Sequence, residues 1–481
     1  MKPVSDDFLQ LSASTLVDHF RHRRLSPVEV TRAALDRISH LDPIFNAFCV
    51  VDETSALTAA RASESRWMRG EPAGLVDGIP TTVKDLILAR GWPTRRGSRT
   101  VDPAQPWQED GPPVARLREQ GAVILGKTTT PEFGWKGVTD SPLSGVTRNP
   151  WNAALTPGGS SGGAAVAAAL GLGTLHLATD GGGSIRIPAA FTGVFGFKPT
   201  WGVVPVHPHS PALTLWHQGP IVRTVGDAAL MQTVIAQPDR RDWYCPPVQG
   251  ADYRQGLDAG IKGWKIAYSR TLGYARVDPA VAARVEQALQ VFTDLGAHVD
   301  VVDLDLPDPI ATMQPLWAVA LALAIEPLSD AQRALLDPPV LDLAEPGFHL
   351  SALEYRRIEK AREDFGRRMN QLHTDYDLLI TPQMPITAFA VSHEVPPGTD
   401  YRRWWEWSPF TYPFNLTQQP AAAVPCGFVE GLPVALQLIG AKFDDARVLR
   451  AARAFESVQP FVLPPMPAPA IPRAREPQRT T

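Results

Sequence analysis

The sequence has little cysteine and no apolar stretch long enough to suggest a membrane segment. Its three cysteines, Cys49, Cys245 and Cys426, form no C-x-x-C pair and leave one residue over from any disulfide. We therefore expect a reducing, cytoplasmic setting. Asp6 and Asp7 interrupt the region where a signal peptide needs apolar residues, and no window approaches about 18 uncharged apolar residues. These absences predict a soluble protein that does not contact a membrane.

An excess of charge of one sign is also missing. The chain of 481 residues has 46 basic and 50 acidic side chains, which leaves a formal net charge of −4. No long run of lysine or arginine is present to neutralise a phosphate backbone, so we expect no direct nucleic-acid ligand. Apolar residues make up 44% and charged residues 20% of the chain, a mixture that predicts a folded globular protein rather than a disordered one.

Proline, by contrast, is abundant, and it is concentrated at the end of the chain. Seven of the 18 residues from Pro460 to Pro477 are prolines, which cannot continue a helix or a central strand. We expect residues 460–481 to form either an extended tail on the surface or a disordered one. No linker and no repeat divides the remainder, which predicts a single domain over residues 1–459.

Helical and strand-like patterns alternate along this domain. Ser26, Pro27 and Glu29 have the spacing of a capping box with proline at the first helical position, and they predict a helix over 26–41. Further helix-then-strand pairs are predicted at PPVARLREQG followed by AVILG, and at 279–296 followed by HVDVVDL. Short apolar runs predict buried strands at 264–269, 376–381, 421–425 and 433–440. The expected fold class is α/β.

The most unusual segment is TPGGSSGGAAVAAALGLGTLHLATDGGGSIRIP, at 156–188. Two glycine- and serine-rich clusters flank a helix of Ala, Val and Leu, which predicts that this helix is buried. Glycine permits close backbone approach, so that successive N–H groups can converge on one point. In DGGGS, at 180–184, that point would lie beside the Ser184 hydroxyl, which predicts a nucleophile next to an oxyanion hole. A flexible linker would explain the glycines and serines, but not the apolar helix between them.

Two other kinds of site also use such glycines. A phosphate site is disfavoured because there is no G-x-x-x-x-G-K-[ST], and Gly171-Leu172-Gly173 lacks the third glycine of a dinucleotide fingerprint. The segment 158–162 satisfies G-x-S-x-G, the nucleophile elbow of α/β-hydrolases. An elbow needs a buried strand directly before the serine, however, and WNAALTPGG is not strand-like.

A serine nucleophile needs a base, and histidine is a weak candidate here. His207, His209 and His217 lie in a proline-rich loop, where we expect solvated or structural roles. No cysteine or carboxylate near H-P-H completes a zinc site, so no metal is predicted. Lys84 in GIPTTVKDLI follows a strand-like run in which an amine can be desolvated. Taken alone, a salt bridge with Asp85 is the more common role for such a lysine.

Three segments together resemble the amidase signature family, whose members hydrolyse amides with a Ser-cisSer-Lys triad: GIPTTVKDL, GGSSGG and TDGGGSIRIPAAFTGVFGFKPT. The resemblance covers nearly the whole chain, with its core signature at 75–225. It implies a single large domain with a mixed twisted central sheet surrounded by helices. It also implies an amide hydrolase that works through an acyl-enzyme and needs no cofactor.

By the same resemblance, Ser184 is the nucleophile, Ser160 is the bridging serine that follows a cis peptide, and Lys84 is the base. The 24-residue separation of the two serines is the family spacing. The implied oxyanion hole consists of the backbone N–H groups of Gly181, Gly182, Gly183 and Ser184. The residues expected to support the site are Ser161, Thr179, Asp180 and Arg186.

One family branch is the glutaminase subunit of tRNA-dependent amidotransferases, which works only within a complex. Its GYYDAYY motif is absent, and SALEYRRIEKAREDF stands at the corresponding place. We therefore expect a stand-alone amidase, a monomer or homodimer with a small-molecule amide as its partner; a non-catalytic interaction protein and the glutaminase subunit remain alternatives. TLWHQGP departs from the S-[LF]-D-x-x-G-P of relatives, because Trp216 replaces the aspartate, either for packing or to reshape the site.

Loops outside the signature are rich in aromatic residues, which predicts an apolar cleft, although core packing explains any one of them equally well. TLWHQGP has no Arg or Lys and PEFGWKG has only Lys136. We therefore expect neutral, hydrophobic amides as substrates, aryl amides foremost, with esters or carbamates (urethanes) as side activities. The candidate substrate-binding residues are Phe133, Trp135, Trp216, Phe410 and Tyr412.

Overall fold

Strands from all parts of the chain meet in one large sheet. The computed structural model describes residues 6–246 and 251–466. Its strands are β1 Phe48–Val51, β2 Pro80–Lys84, β3 Val123–Thr128, β4 Asp140–Ser141, β5 Gly145–Val146, β6 Leu175–Asp180, β7 Phe195–Lys198, β8 His217–Val222, β9 Lys265–Tyr268, β10 His298–Val301, β11 Leu378–Pro382, β12 Ala421–Val429 and β13 Leu432–Ile439. Eleven of them form a sheet in the order β1-β3-β2-β6-β8-β7-β12-β13-β11-β9-β10, and β4 pairs with β5 separately.

The large sheet is mixed. The pairs β2/β3, β2/β6, β9/β10 and β9/β11 are parallel, and the other neighbours are antiparallel. Helices pack against the sheet, among them α6 and α8, which contact β12 and β13. The α-helices of the described residues are α1 Ala13–Arg21, α2 Pro27–Phe45, α3 Glu53–Arg69, α4 Pro112–Glu119, α5 Gly162–Ala169, α6 Arg186–Thr192, α7 Val225–Ile235, α8 Pro279–Asp294, α9 Ile310–Ile325, α10 Asp330–Arg333, α11 Pro338–His349, α12 Ala352–Asp375, α13 Pro413–Leu416 and α14 Asp445–Val458. The predicted fold class, an α/β unit with a mixed central sheet surrounded by helices, is confirmed.

Local sequence signals explain where several of these elements begin. The Ser26 hydroxyl accepts hydrogen bonds from the N–H groups of Val28 and Glu29, and the Glu29 carboxylate accepts one from the Ser26 N–H, so the predicted capping box is present. Helix α2 continues past the predicted end at residue 41 because its buried face extends to Phe45. Asn46, in the left-handed conformation, ends it.

The predicted strands at 264–269, 376–381, 421–425 and 433–440 all form, and they are buried along most of their length. Strand β10 differs, because it lies at the edge of the sheet and Val301 is 78% exposed. None of the described helices combines the length and apolar composition that a bilayer crossing requires. Of the proline-rich segment, residues 460–466 have no regular secondary structure and residues 467–481 lie outside the described residues.

The sheet brings the two glycine- and serine-rich clusters together. Strands β2 and β6 are parallel neighbours, so their carboxyl ends, Lys84 and Asp180, lie at the same edge. The loop that contains Ser160 leads directly into helix α5, which is buried at all eight residues. The segment 156–161 contains no strand, so the strand that a nucleophile elbow requires before its serine is absent there.

Candidate active site

Lys84 ends strand β2 and is completely buried. Its Nζ lies 2.7 Å from Ser160 Oγ, 2.8 Å from Ser161 Oγ and 2.9 Å from Thr179 Oγ1. Thr179 belongs to the neighbouring strand β6, and the two serines belong to the loop before α5. The amine is therefore surrounded by hydroxyl groups, each of which can either donate or accept a hydrogen bond.

This environment favours the neutral amine. Burial lowers the pKa of Lys84 well below its usual value, and the negative charge of nearby Asp180 opposes that shift only in part. The alternative role of Lys84, a salt bridge with Asp85, is not present. Asp85 instead lies 2.8 Å from the Nζ of Lys127 on strand β3. Consecutive residues of an extended chain point to opposite sides, which separates Lys84 from its sequence neighbour.

Ser184 is the most accessible member of the predicted triad. It is 8% exposed, whereas Ser160 is 1% and Lys84 0% exposed. Its carbonyl oxygen accepts a hydrogen bond of 3.1 Å from the N–H of Ser161, which ties the two glycine- and serine-rich loops together. The peptide bond between Gly159 and Ser160 is cis. Of the three predicted triad residues, Ser160 and Lys84 are thus buried more deeply than Ser184.

The glycines before Ser184 lie where side chains would not fit. A Cβ atom at Gly183, whose φ is +129°, would lie 2.5 Å from the Cβ of Thr411. One at Gly182 would lie 2.6 Å from the ring of Trp404. The Gly183 N–H donates a 2.8 Å hydrogen bond to Asp180 Oδ1, so the structure does not offer this group to an oxyanion. Gly181, Gly182 and Ser184 supply the remaining N–H groups of the implied oxyanion hole.

Asp180 and Arg186 form a buried pair that fixes this loop. Both side chains are completely buried, and Arg186 Nε and Nη2 each lie 2.9 Å from a carboxylate oxygen of Asp180. Asp180 also accepts hydrogen bonds from the N–H of Ile185 and from the Asn415 carboxamide. Burial alone would raise the pKa of Asp180, but the charge and hydrogen bonds of Arg186, the charge of Lys198 and the hydrogen bond from Asn415 hold it well below its usual value.

Comparison with known proteins identifies the family. The family model described as Amidase matches residues 29–449. The chain belongs to the amidase signature family. It is 35% identical over 459 residues to an acylamidase of Rhodococcus erythropolis, in a match that covers 94% of this chain and 96% of the relative.

This amidase is also similar to a subunit of an amidotransferase and to a solved structure of its own family. It is 37% identical over 471 residues to a subunit of the glutamyl-tRNA(Gln) amidotransferase of Myxococcus xanthus (strain DK1622), with 91% of this chain and 94% of the relative covered. The crystal structure of a bacterial aryl acylamidase of the same family superposes with a TM-score of 0.88 at 31% identity, over 94% of this chain and 96% of the other. The protein is thus an amidohydrolase with a fold shared by both branches.

The buried pair leads to a prediction about the stability of the amidase. Asp180→Ala leaves the charge of Arg186 buried without its partner, so we expect the free energy of unfolding to fall by about 3–5 kcal/mol. The matched control is Asp18→Ala, because Asp18 pairs with Arg24 at the same sequence separation but the two side chains are 46% and 53% exposed. There we expect a loss below about 1 kcal/mol. Denaturant unfolding of both variants measures the difference, and equal losses would contradict this role of the pair.

An apolar cavity lies near the glycine loop that precedes Ser184, because Trp216 and Trp317 both line the cavity and pack close to Gly181. Its wall contains residues from the segment after β2, from the loop 207–212, from the start of β8 and from helix α9. Phe133 and Trp216, two of the five candidate substrate-binding residues, line it, and Trp317 lies beside them. A Cβ atom at Gly181 would lie 3.2 Å from the Trp317 ring and 3.7 Å from that of Trp216. The tryptophans therefore fill the space next to Gly181 that a larger residue would need.

The other three candidates do not line this cavity. Phe410 is completely buried and packs with residues of β11 and β13. Trp135 is 1% exposed, and its indole N–H donates to Asp337. Tyr412 is also 1% exposed, and its hydroxyl donates to Asp308. The aromatic loops thus contribute to the core as well as to the cavity, which the composition of the segments does not distinguish.

The histidines of the proline-rich loop have local partners. His209 Nε2 lies 2.9 Å from Asp242 Oδ1, and His207 Nε2 lies 3.7 Å from Glu109 Oε2. His217 is buried on β8, and its Nδ1 lies 2.9 Å from the Leu215 carbonyl oxygen. Within residues 6–246 and 251–466, no group of three or more His, Cys, Asp or Glu side chains is arranged to hold a metal ion.

Several residues of the site were not found by sequence reasoning. Trp317 lies on α9, whose apolar sequence indicates burial but not a place beside the glycine loop. Arg96 and Gln218 are among the polar residues that line the cavity. Asn415 binds Asp180, and its only sequence signal is its position within PFNLTQQP. Trp317 and Asn415 are distant from the core signature in sequence and reach it through tertiary packing, whereas Arg96 and Gln218 lie within it, in segments whose patterns do not show that they face the cavity.

Proposed function

We propose that the protein hydrolyses linear amides through an acyl-enzyme on Ser184, with Ser160 and Lys84 as the proton relay. The observation that carries this proposal is the contact of a buried amine with hydroxyl groups only, one of which belongs to Ser160. An amine in this setting can act as a base, because burial disfavours its protonated form. The proposal requires neither a metal nor a cofactor.

In the acylation step, the Ser184 oxygen attacks the amide carbonyl carbon. The Ser184 proton passes to Ser160 while the Ser160 proton passes to the neutral Lys84. The carbonyl oxygen becomes an oxyanion, and the free N–H groups of the glycine loop are placed to stabilise it. The loop is held by the Asp180–Arg186 pair, so these donors need little rearrangement as the charge develops.

The leaving amine then needs a proton, because an amide anion is a very poor leaving group. Protonated Lys84 returns its proton through Ser160 to the departing nitrogen, and the C–N bond breaks. The acyl group remains on Ser184 as an ester. Water attacks this ester with its proton taken by the same relay, and the carboxylic acid and the free Ser184 hydroxyl are released.

We propose neutral, hydrophobic amides, aryl amides foremost, as substrates. The cavity next to the relay contains the rings of Phe133, Trp216 and Trp317, which suit a planar apolar group. The names of two relatives, an acylamidase and an aryl acylamidase, support this class. Esters and carbamates of the same shape are expected side activities, because the same acyl-enzyme chemistry serves them.

A substrate panel tests this proposal. We expect kcat/KM for acetanilide to exceed that for acetamide by at least about 100-fold, since burying an aryl group contributes on the order of 2–3 kcal/mol to transition-state binding. Trp216→Ala should remove most of this preference and leave acetamide turnover nearly unchanged. Equal values for acetanilide, acetamide and glutamine would contradict the aryl preference but not the amidase chemistry.

The second candidate function is that of a glutaminase subunit of a tRNA-dependent amidotransferase. The 37% identity to a protein of that kind favours it. Helix α12 argues against it, because the tyrosine-rich motif is absent and Tyr355 is the only tyrosine between Ala352 and Asp375. Purification from the native cell decides between them: a stoichiometric partner subunit together with glutaminase activity would support the amidotransferase and contradict a stand-alone enzyme.

Three further properties are part of the proposal. We propose one catalytic domain over residues 1–459 with a tail at 460–481. We propose a cytoplasmic monomer or homodimer that binds no nucleic acid, which is in keeping with three free cysteines. Size-exclusion chromatography with light scattering tests the oligomeric state, and removal of residues 467–481 with retained activity would support the assignment of the tail.

A further inference from the structure

Among the described residues that line the apolar cavity, Arg96 carries the one formally charged side chain. No Asp, Glu or Lys lines the cavity, and His209, which does, is paired with Asp242. Arg96 comes from the loop after β2. The expectation of neutral substrates rested on the small number of basic residues in PEFGWKG and TLWHQGP, and neither segment contains Arg96. Charged groups are rarely placed in an apolar ligand cavity without a partner, because their desolvation costs free energy.

Nothing on the described part of the protein pairs with the Arg96 side chain. Arg96 is half-buried, and its guanidinium forms no hydrogen bond and no ion pair with another described residue. Burial lowers the pKa of Arg96, and the charge of Asp85 only partly opposes this shift. The guanidinium has five N–H donors and stays protonated in proteins. It therefore offers strong hydrogen-bond donors to whatever enters the cavity.

The backbone of Arg96 is hydrogen-bonded to a segment that lies beside Ser160. Arg96 has a φ of +56° and Phe133 a φ of +51°, values that are unusual outside glycine. The Phe133 N–H donates a 2.8 Å hydrogen bond to the Arg96 carbonyl oxygen. The next residue, Gly134, is so close to the relay that a Cβ atom there would lie 3.1 Å from Ser160 Oγ. Strained backbone of this kind is concentrated at functional sites.

A second polar group lies in the same wall. Gln218 is 5% exposed, and its Oε1 is buried without a hydrogen-bond partner among the described residues. It pairs with Thr179 across strands β8 and β6, so the two side chains lie on the same face of the sheet. The Thr179 hydroxyl contacts Lys84. An unpartnered carboxamide is thus placed beside the relay and faces the cavity.

We propose that Arg96, with Gln218 beside it, forms a polar subsite that binds a hydrogen-bond-accepting oxygen of the substrate remote from the scissile amide. This inference rests on the amide hydrolysis of the proposed function and modifies its substrate class: the preferred substrates are aryl amides that carry a second oxygen acceptor, a carbonyl or a carboxylate, in addition to the scissile amide, so that a charged acceptor is also admitted. Arg96 donates to that oxygen, and Gln218 either donates to it or accepts from an adjacent N–H group.

Three ligands of nearly the same shape test the subsite. Acetophenone carries a neutral acceptor, benzoate a charged one, and α-methylstyrene none. Their dissociation constants are measured in the Ser184→Ala protein through the fluorescence of Trp216 and Trp317 in the cavity wall, so the measurement does not depend on turnover. Inhibition of acetanilide hydrolysis by the same ligands, in enzyme that retains Ser184, gives a second measurement of each dissociation constant.

We expect Arg96→Met to raise the dissociation constant of benzoate about tenfold and that of acetophenone about fivefold, because hydrogen bonds to a charged group are lost. The dissociation constant of α-methylstyrene should change less than about twofold, because this ligand has no oxygen for the guanidinium to bind. Arg96→Lys should weaken benzoate less than Arg96→Met does. Gln218→Met tests the second polar group independently, and it should raise the dissociation constants of benzoate and acetophenone about threefold. Arg99→Met, an exposed arginine of the same loop, is the matched control and should change none of the three.

The outcomes separate this inference from the proposed function. Equal effects of Arg96→Met on all three ligands, or no effect on any, would overturn the subsite. An effect on benzoate alone supports a subsite for carboxylates, and an effect on both oxygen ligands supports one for either acceptor. If the ligands follow the expected pattern but the enzyme does not hydrolyse acetanilide, the subsite stands and the proposed function fails.

Discussion

Replacement of Ser184 by alanine is expected to lower kcat for anilide hydrolysis by at least about 10⁴-fold. The reason is that, among the described residues, Ser184 alone directly follows a run of three glycines, and it is more exposed than Ser160. Ser160 is 1% exposed, and its hydroxyl is engaged by Lys84. The protein should stay folded, because Ser184 supports its neighbours through its backbone carbonyl rather than its side chain. Initial rates and the unfolding transition of the variant measure both expectations.

Covalent labelling identifies the nucleophile independently of the rate. An aryl sulfonyl fluoride or a phosphonate should modify Ser184, as read by mass spectrometry of the digested protein, and Ser184→Ala should take up no label. Ser65→Ala, on the exposed surface of α3, is the control and should be labelled and active like the unchanged enzyme. A label on Ser160 or Ser161 would contradict this mechanism and favour the nucleophile-elbow interpretation of GGSSG.

Several elements of the fold could be predicted from short-range patterns in the sequence. The capping box at Ser26 and the apolar runs predicted helix α2 and four strands of the sheet, because such elements are decided by local hydrogen bonds and by burial. The exposed edge strand β10 was not distinguished from the buried ones. Its position depends on which strand pairs with it, and that is a property of the whole sheet.

Non-local packing limits what the sequence says about the site. Lys84 and Asp85 are adjacent in the chain but face different partners, so adjacency alone does not show whether such a lysine is paired or free to act as a base. Trp135 and Phe133 are two residues apart, yet only Phe133 lines the cavity. Arg96 was missed because the cavity that it lines is completed by segments more than 100 residues away, at 207–212 and on α9.

The pH dependence of the reaction should report the protonation of Lys84. A lysine is an active base only above its pKa, and burial lowers the pKa of Lys84 well below its usual value. We therefore expect kcat/KM to fall tenfold per pH unit on the acid side, with a midpoint well below the value of about 10.4 of a free lysine. Activity is thus expected to reach its plateau at a lower pH than a free lysine would allow.

Two substitutions at this position test the assignment. Lys84→Met removes the base, and Lys84→Arg keeps a cation that does not release its proton, so each should lose at least about 10³-fold in kcat/KM and the acid limb with it. Lys127→Arg is the matched control. Lys127 is also buried, but it is paired with Asp85, so its replacement should affect stability and leave the acid limb in place. Retained activity in Lys84→Arg, or an unchanged acid limb in Lys84→Met, would exclude Lys84 as the base and require another group to take the proton from Ser160.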